Sequence, residues 1–500
     1  MLDSPLGDLE STAEEVKFTP VRYTNWASII GGLVTRRRTT ENRMTRIYKN
    51  YRGNQQILGD EDEIIVNVTF GDTRVLESML YFTDPYIRVR PSTNPSIAPK
   101  AQLLEGILNS IWYTERIGRQ IRRCIVDACL VGISWMQVGF SDYHDPNMLY
   151  RGGKVFAKRR CPIDLYTEDD ISNFDEATFY ARRGLYSTRW LKRLFKREWK
   201  ADTDTNVFQR RGVSGRKSTQ AMLYEVEDLV EKRLFIMSPQ HKAIIHETAL
   251  PYDYFEGSMY VPLAFVDDPE QLNPISMTEI ISGQQDELNR IRTQQMRHRK
   301  RYNRRYLMER GAMKDEEIAK VEAGEDGVIA KTEGSPKGVV VPIEDAPLDL
   351  GGTRDYQLDI KSDRREILGI NEYLRAGAVP RTKTAQEASM IQQGSNIRSQ
   401  NLACYLHEFV VDIARRLSLI VQHEYDDINY LPKQEGEVVS WTKEDIAGDF
   451  EVEIELGSTL PPQPIPYETL LNQGKTPPGQ GGMPGGMLGA EGAMPPEGMG

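Results

Sequence analysis

The stretch SMTEIISGQQDELNRIRTQQMRHRKRYNRR, Ser276 to Arg305, decides how the rest of the chain is interpreted. It predicts a long helix that runs to about Asn303. The apolar residues recur at helical spacing but form only a thin stripe, made of Ile280, Ile281, Leu288 and Ile291. Gln and Arg fill the remaining faces, and the last fourteen residues carry seven Lys or Arg. Because so narrow a stripe does not stabilise an isolated helix, this helix is expected to need neighbours.

This concentration of positive charge stands in an acidic protein. The 500 residues have a formal net charge of −10, and the sequence pI is about 5.4. Such a balance argues against wholesale coating of DNA, but it allows a local basic surface. A chain of this length also exceeds one ordinary compact core, so several domains or one multi-part body are expected.

Composition excludes several classes of protein. No apolar run approaches the ~18–20 residues that a membrane helix needs, and no membrane association is expected. The first residues, MLDSPLGDLESTAEEV, are acidic and polar, unlike a secretory signal. The four cysteines form no CxxC pair, so we interpret them as free thiols in a reducing compartment.

Downstream of the helix the pattern predicts a mixed insert, Arg304 to Gly352, and then a second helix, Thr353 to Leu368. That second helix places Asp355, Asp359 and Asp363 at four-residue intervals, on one face. A loop with two glycines and a proline follows. The longest helix pattern then extends from Ala385 to about Tyr425, with a kink expected at Gly394. From residue 461 onward Gly and Pro make up about half of the chain, which is typical of a disordered tail.

Upstream of the quoted stretch the pattern is a mixture of helices and strands, so we predict an α+β, helix-rich fold. Residues 1–35 are interpreted as a loose arm, followed by a basic helix from Arg36 to Tyr51. Alternation predicts strands at EIIVNVTF (Glu63–Phe70), YIRVRP and ISWMQVGF. Apolar stripes predict two helices before the last of these strands, the second of which stops near Gly132.

The chain shows no recognisable active site. GVSGRKST (Gly212–Thr219) superficially resembles a phosphate-binding loop but lacks the GxxxxGK[ST] spacing, which favours a solvated loop. His241 and His246 would point to opposite faces of a strand and so cannot share a metal. His423 stands near acidic residues, where a polar helix end explains the pattern as well as a metal cluster does. We expect no catalytic residues, no metal and no cofactor.

The order helix, mixed insert, helix, loop, very long helix resembles the portal proteins of tailed bacteriophages, the head-to-tail connectors. Several stretches carry the resemblance, which covers roughly Asn67 to Leu460: NVTFGDTRVLESMLYFTDPYIRVRPS, DACLVGISWMQVGF, PLAFVDDPEQLNPISMTEIISGQQDELNRIRTQQM and RTKTAQEASMIQQGSNIR. No single stretch is highly specific, and their order and spacing carry the match.

The resemblance implies a phage portal fold with a defined division of the chain. It predicts an arm (1–35), a wing (36–265), a first stem helix (266–303), a clip (304–352), a second stem helix (353–372), a tunnel loop (373–384), a long kinked wing or crown helix with a late strand (385–460) and a tail (461–500). The implied assembly is a homo-oligomeric ring, usually of twelve subunits, at one capsid vertex of the virion, assembled in the host cytoplasm. The implied function is a conduit for packaging and ejection of DNA. Implied partners are viral double-stranded DNA bound without sequence specificity, the terminase large subunit, the tail adaptor and the major capsid protein.

Three groups of candidate site residues follow. The tunnel loop carries Arg375, Arg381 and Lys383, which either touch DNA phosphate or form salt bridges between subunits. The basic segment, comprising Arg297, Arg299, Lys300, Arg301, Arg304 and Arg305, would face the capsid opening, a docked protein or DNA, unless it is a solvated face. The acidic residues Asp355, Asp359 and Asp363 would pair with the basic helix of the same or a neighbouring subunit, setting register more than stability.

Two other classes of function stay open. One is a DNA-packaging enzyme, a nuclease or ATPase, although neither a phosphate-binding motif nor a paired-carboxylate metal motif is present. The other is a scaffolding or adaptor protein, which should lack the helix-insert-helix hairpin.

Overall fold

The computed structural model describes residues 20–54, 63–141, 153–201, 220–302, 306–308, 314–323, 340–342, 350–370, 385–425, 429–432 and 438–454. The chain divides into two compact units, of which the first ends at Leu460 and contains all of the described residues. This first unit is an α+β fold, as the sequence predicts.

The helices of the described residues are, in chain order, α1 Pro20–Arg36, α2 Arg38–Tyr51, α3 Val68–Leu80, α4 Ala98–Thr114, α5 Ile117–Val131, α6 Thr188–Phe195, α7 Met277–Ile280, α8 Ser282–Tyr302, α9 Asp315–Ala323, α10 Leu350–Leu368, α11 Ala385–Glu424 and α12 Lys443–Ile446. The strands are β1 Ile87–Pro91, β2 Ile133–Ser141, β3 Lys154–Arg160, β4 Leu165–Tyr166, β5 Phe179–Ser187, β6 Gln220–Asp228, β7 Arg233–Ser238, β8 Ala243–Ala249, β9 Tyr260–Ala264, β10 Tyr306–Met308, β11 Val340–Pro342, β12 Asn429–Pro432, β13 Val438–Trp441 and β14 Phe450–Ile454.

These strands form two larger sheets and three two-stranded pairs. The larger sheets have the orders β4-β5-β6-β7-β8 and β3-β2-β9, and every recorded pairing in them is antiparallel. The pairs are β1 with β14, β10 with β11, and β12 with β13. Pairing of β1 with β14 joins residues more than 350 positions apart, so the end of the described chain packs beside its first strand.

The main core forms around α5, as its apolar stripe predicts. Ile117, Ile121, Cys124 and Ile125 are all fully buried. The helix ends at Val131, and the next residue, Gly132, has φ +89° and lies so close to the Pro274 carbonyl that a Cβ would stand 2.3 Å from its oxygen. Only glycine tolerates both conditions, so the predicted stop at this position is confirmed.

Two predicted elements are wrong. Residues 20–35, expected to belong to a loose arm, lie in helix α1, Pro20–Arg36. Its Trp26 ring lies 5.1 Å from both Phe179 and Phe235, and Ile30 and Leu33 are buried against the five-stranded sheet. The glycines at 31 and 32 lower the intrinsic helix propensity, so tertiary packing decides the helix here.

The strand predicted at Glu63–Phe70 is the second error. Residues 63–67 join no sheet, and α3 begins at Val68, with the side chain of Asn67 accepting a hydrogen bond from the Phe70 amide. The β-branched residues of VNVT suggest a strand, but the Asn67 cap starts a helix in the middle of the pattern.

The longest helix begins at the predicted residue. α11 is one continuous helix from Ala385 to Glu424, including Gly394. Phe409, Ile413, Leu417 and Ile420 are buried in the main core. The kink predicted at Gly394 falls where the structure describes no side chains.

Candidate functional site: the paired helices and their junction with the body

Helices α8 and α10 pack against each other in antiparallel order. Leu288 and Ile291 of α8 form a small buried cluster with Ile360 of α10. Gln357 of α10 donates a hydrogen bond of 2.9 Å to Gln295 of α8, so the pairing extends towards the end of α8. Two residues of the thin apolar stripe, Leu288 and Ile291, are therefore used between these helices, whereas Ile281 is buried in the main core and Ile280 is exposed.

A different face of α8 is polar and buried. Gln285, Asn289 and Thr293, which we call the α8 ladder, recur every four residues and are at most 4% exposed. Thr293 accepts from the Ile64 amide at 3.1 Å, and Asn289 accepts from the Val66 amide at 2.9 Å. Gln285 donates to the Val66 carbonyl and accepts from the Thr69 amide. The ladder thus holds an extended segment as a neighbouring strand would.

The geometry of the two backbones explains this fit. Four residues of α-helix rise about 6.0 Å, at 1.5 Å per residue. Two residues of extended chain cover about 6.6 Å, at 3.3 Å per residue. A polar side chain at every fourth helical position therefore meets every second amide of an extended segment. The Gln- and Asn-rich character of this helix has a structural use.

Arg364 of α10 closes the junction. It is 1% exposed and pairs with Asp72 of α3 at 3.0 Å. The same guanidinium donates to Gln285 at 2.7 Å and to the Thr69 hydroxyl at 3.3 Å. One buried cation therefore connects α10, the α8 ladder and the start of α3. We call Arg364, Asp72 and the α8 ladder the junction network.

The basic segment lies at the end of α8 remote from this junction. Arg299 is exposed and Arg297 half-buried, while Lys300 and Arg301 belong to the helix, which ends at Tyr302. The chain then continues into the β10–β11 pair and α9, between α8 and α10. Arg304 and Arg305 lie outside the described residues. The partner of this segment stays a prediction.

The acidic stripe of α10 lies on an exposed face of that helix. Asp355, Asp359 and Asp363 are exposed, and the described residues include no ion-pair partner for them. The interior positions Gln357, Ile360 and Arg364 instead face α8 or the body. Because the side chains of Lys300, Arg301, Arg304 and Arg305 are not described, pairing with the basic segment of the same chain and pairing with that of a neighbouring subunit both stay predictions.

Other candidate residues are not brought together. The tunnel-loop residues Arg375, Arg381 and Lys383, and the phosphate-loop candidate at 212–219, lie outside the described residues. His241 packs edge-on against Trp199, whereas His246 stands on β8. Among the residues that the structure describes, no group of three His, Cys, Asp or Glu side chains is arranged to hold a metal ion.

A buried carboxylate elsewhere was missed by sequence reasoning. Glu227 of β6 is 2% exposed and accepts hydrogen bonds from the Ser258 hydroxyl and, at 3.0 Å, from the Met259 amide. Burial raises its pKa to about 7, against which these two hydrogen bonds and the charge of Arg416 act. Arg416 of α11 donates to the Ser258 carbonyl at 3.1 Å. This cluster joins the five-stranded sheet to the residues directly before β9 and to α11.

Sequence reasoning also missed the junction network. The four-residue recurrence of Gln285, Asn289 and Thr293 was visible and could have indicated a polar buried face. Arg364 gave no signal, since it is one of several charged residues in a polar helix.

Within the described part of the chain, no helix is long and apolar enough to cross a membrane. No protein-family model matches the chain, and no curated protein matches it significantly.

Proposed function

We propose that the protein is the portal protein of a tailed bacteriophage. It forms a ring, of twelve subunits in the usual case, at one capsid vertex, and double-stranded DNA passes through the ring during packaging and ejection. The terminase large subunit and the tail adaptor dock on it, and the major capsid protein surrounds it. It serves as a structural conduit and not as an enzyme.

The observation that carries the proposal is the antiparallel pair α8 and α10 with an insert between them. The body end of the pair is fixed by the junction network, and the insert continues from the basic end of α8. A hairpin fixed at one end and carrying a small unit at the other suits the stem and clip of a portal subunit. The α11 helix then follows in the order that the resemblance requires.

The charges of the pair support association between copies. Arg290, Arg292 and Arg299 are exposed on α8, whereas Asp355, Asp359 and Asp363 are exposed on α10. Exposed cations on one helix and exposed carboxylates on the other favour head-to-tail contact between copies, which closes into a ring when the rotation permits. Each exposed pair contributes only about 0–1 kcal/mol, but a ring repeats every pair.

The first experiment measures assembly. Multi-angle light scattering and end-on negative-stain images of the purified protein should show a ring, with a mass near 685 kDa for twelve chains of 57.1 kDa. A single 57.1 kDa species at every concentration, and no rings in isolated heads, would contradict the proposal.

Charge reversal tests which surfaces associate. Changing Asp355, Asp359 and Asp363 to Lys should weaken ring formation, because like charges then meet across the interface. Adding Arg290→Glu, Arg292→Glu and Arg299→Glu should restore it. A matched control reverses Arg38 of α2, an exposed residue outside both helices. Failure of the combined variant to recover, while its thermal stability is normal, would show that these faces do not meet.

The basic segment is tested separately. Reversal of Arg297, Arg299, Arg301, Arg304 and Arg305 should leave the fold intact and block docking of terminase or adaptor in a pull-down. Loss of portal-containing heads with normal docking would instead assign the segment to the capsid. Wild-type behaviour in both assays would show a solvated face.

A further inference from the structure

A polar groove separates α2 from the beginning of α8. Its volume is about 470 Å³. One wall is α2 together with Asn54 after it, the other wall includes Ser282 and Asp286, and the floor includes Thr69. Among the described lining residues only Ile47 is apolar. Apolar surface therefore cannot drive binding in this groove, and an occupant must supply hydrogen bonds and charge.

The α2 wall has the spacing of the α8 ladder. Asn42, Arg46 and Asn50 line the groove at four-residue intervals. In two other places of this protein the same spacing holds an extended chain. The α8 ladder holds residues 64–66, and Glu105 and Asn109 of α4 accept from the amides of Val89 and Ile87. The α2 wall is thus arranged to hold alternate groups of an extended segment.

The charge of the groove indicates which segment it accepts. Arg46 and Lys49 are exposed, and the described residues contain no ion-pair partner for either. Arg43 on the same helix is already engaged by Glu279, at 3.6 Å. Partial burial raises the pKa of Asp286 on the opposite wall, despite the charges of Arg290 and Arg46. The α2 wall therefore presents two exposed cations that make no ion pair with the described residues, while Glu279, which pairs with Arg43, and Asp286 also line the groove.

The chain itself contains a matching segment. Residues 1–19, which precede α1 and lie outside the described residues, carry five carboxylates and one lysine: Asp3, Asp8, Glu10, Glu14, Glu15 and Lys17. Nineteen residues reach at most about 60 Å when extended. The groove lies along α2, and α1 and α2 together rise about 46 Å from Pro20 at 1.5 Å per residue. The segment is long enough to return along α1 to the groove.

We infer that the acidic segment of residues 1–19 docks, in an extended form, in the groove between α2 and α8 of its own chain. Its carboxylates meet Arg46 and Lys49, and Asn42 holds its backbone. This inference does not depend on the proposed function, since it requires only one chain.

Hydrogen–deuterium exchange of the full-length protein tests the inference. Amides of residues 1–19 should exchange at least about tenfold more slowly than in a free peptide of the same sequence. The variant R46E/K49E should lose this protection. The control R38E, on the same helix but outside the groove, should retain it. Equal exchange in the wild type, R46E/K49E and R38E would overturn the inference.

Two further measurements identify the occupant. A synthetic peptide of residues 1–19 should bind the full-length protein only weakly, because the tethered segment already occupies the groove. Strong binding to the wild type, abolished by R46E/K49E, would show an empty groove and overturn the inference. Protection of residues 1–19 that disappears on dilution would also overturn it, by assigning the groove to the segment of a second copy.

Discussion

Two helices of this protein hold an extended segment in the same manner, but with different support. On α4, Asn109 accepts from the Ile87 amide and donates to its carbonyl, both within 3.0 Å, and Glu105 accepts from the Val89 amide. The other edge of that segment, β1, pairs with β14 over five residues. On α8, the ladder holds residues 64–66, which join no sheet.

The difference shows how much depends on each side chain. β1 keeps a partner strand if a side chain of α4 is lost. Residues 64–66 would lose the hydrogen bonds that fix them on α8. The α4 helix also buries Leu104, Ile107 and Leu108 in the main core, whereas α8 relies on a polar face and a small apolar cluster. Substitutions at the α8 junction should therefore cost more.

The largest effect is expected at Arg364. Its replacement by Ala leaves Asp72 buried without its cation, which costs about 3–5 kcal/mol of the free energy of unfolding. Thermal and urea denaturation would measure this loss. Arg354→Ala on the exposed face of the same helix is the control and should have no measurable effect. Equal stability of the two variants would show that the junction network contributes little.

The contribution of Glu227 to stability should depend on pH, in contrast to that of the α8 ladder. Burial raises the folded-state pKa of Glu227 to about 7, above the ordinary value of 4.5 for a glutamate. The fold therefore favours the protonated form, and stability falls as the pH rises from about 4.5 through 7. A shift of this size corresponds to about 3 kcal/mol. Glu227→Gln, measured by urea denaturation across pH 4–8, should remove this part of the decline. If Glu227→Gln left the pH dependence of stability unchanged, the raised pKa of Glu227 would be contradicted.

A matched pair of variants, one on α8 and one on α4, tests directly whether the partner strand of β1 reduces the cost of losing a side chain. Asn289→Ala should cost about 2–3 kcal/mol, since it removes a fully buried acceptor of hydrogen bonds from the Val66 amide and the Gln285 side chain. Asn109→Ala should cost about 1–2 kcal/mol, since Asn109 is only half-buried and β1 retains β14. The reverse order in denaturation would show that the partner strand gives no protection.

The smallest effect is expected away from the junction. Gln357→Ala removes the half-buried hydrogen bond to Gln295 between the two helices and should cost about 0.5–1 kcal/mol. A loss as large as that of Asn289→Ala would indicate that the helix pair, rather than its junction, limits stability.

Much of the fold was predictable where one local signal dominates. The stripe of α5 and its glycine stop, the strand ISWMQVGF and the start of α11 at Ala385 all agree with the structure. In each, periodicity and a boundary residue indicate the same element. The error at residues 20–35 arose because α1 depends on Trp26 packing against a sheet that is distant in sequence.

The candidate site was predictable only in part. The basic run and the acidic stripe follow directly from residue order, as do the two helices that carry them. The sequence could not show that Asp355, Asp359 and Asp363 point away from α8, since this depends on which face of α10 meets Leu288 and Ile291.

The sequence by itself determined the α+β class, most helices and strands, and the position of the charged segments, because these follow from local periodicity, caps and residue chemistry. The tertiary structure alone decided that residues 63–67 lie as an extended segment on α8, and that Arg364 joins three elements in a buried network. The physical reason is that a buried polar group is stable only beside its partners, here up to 295 positions apart in the chain.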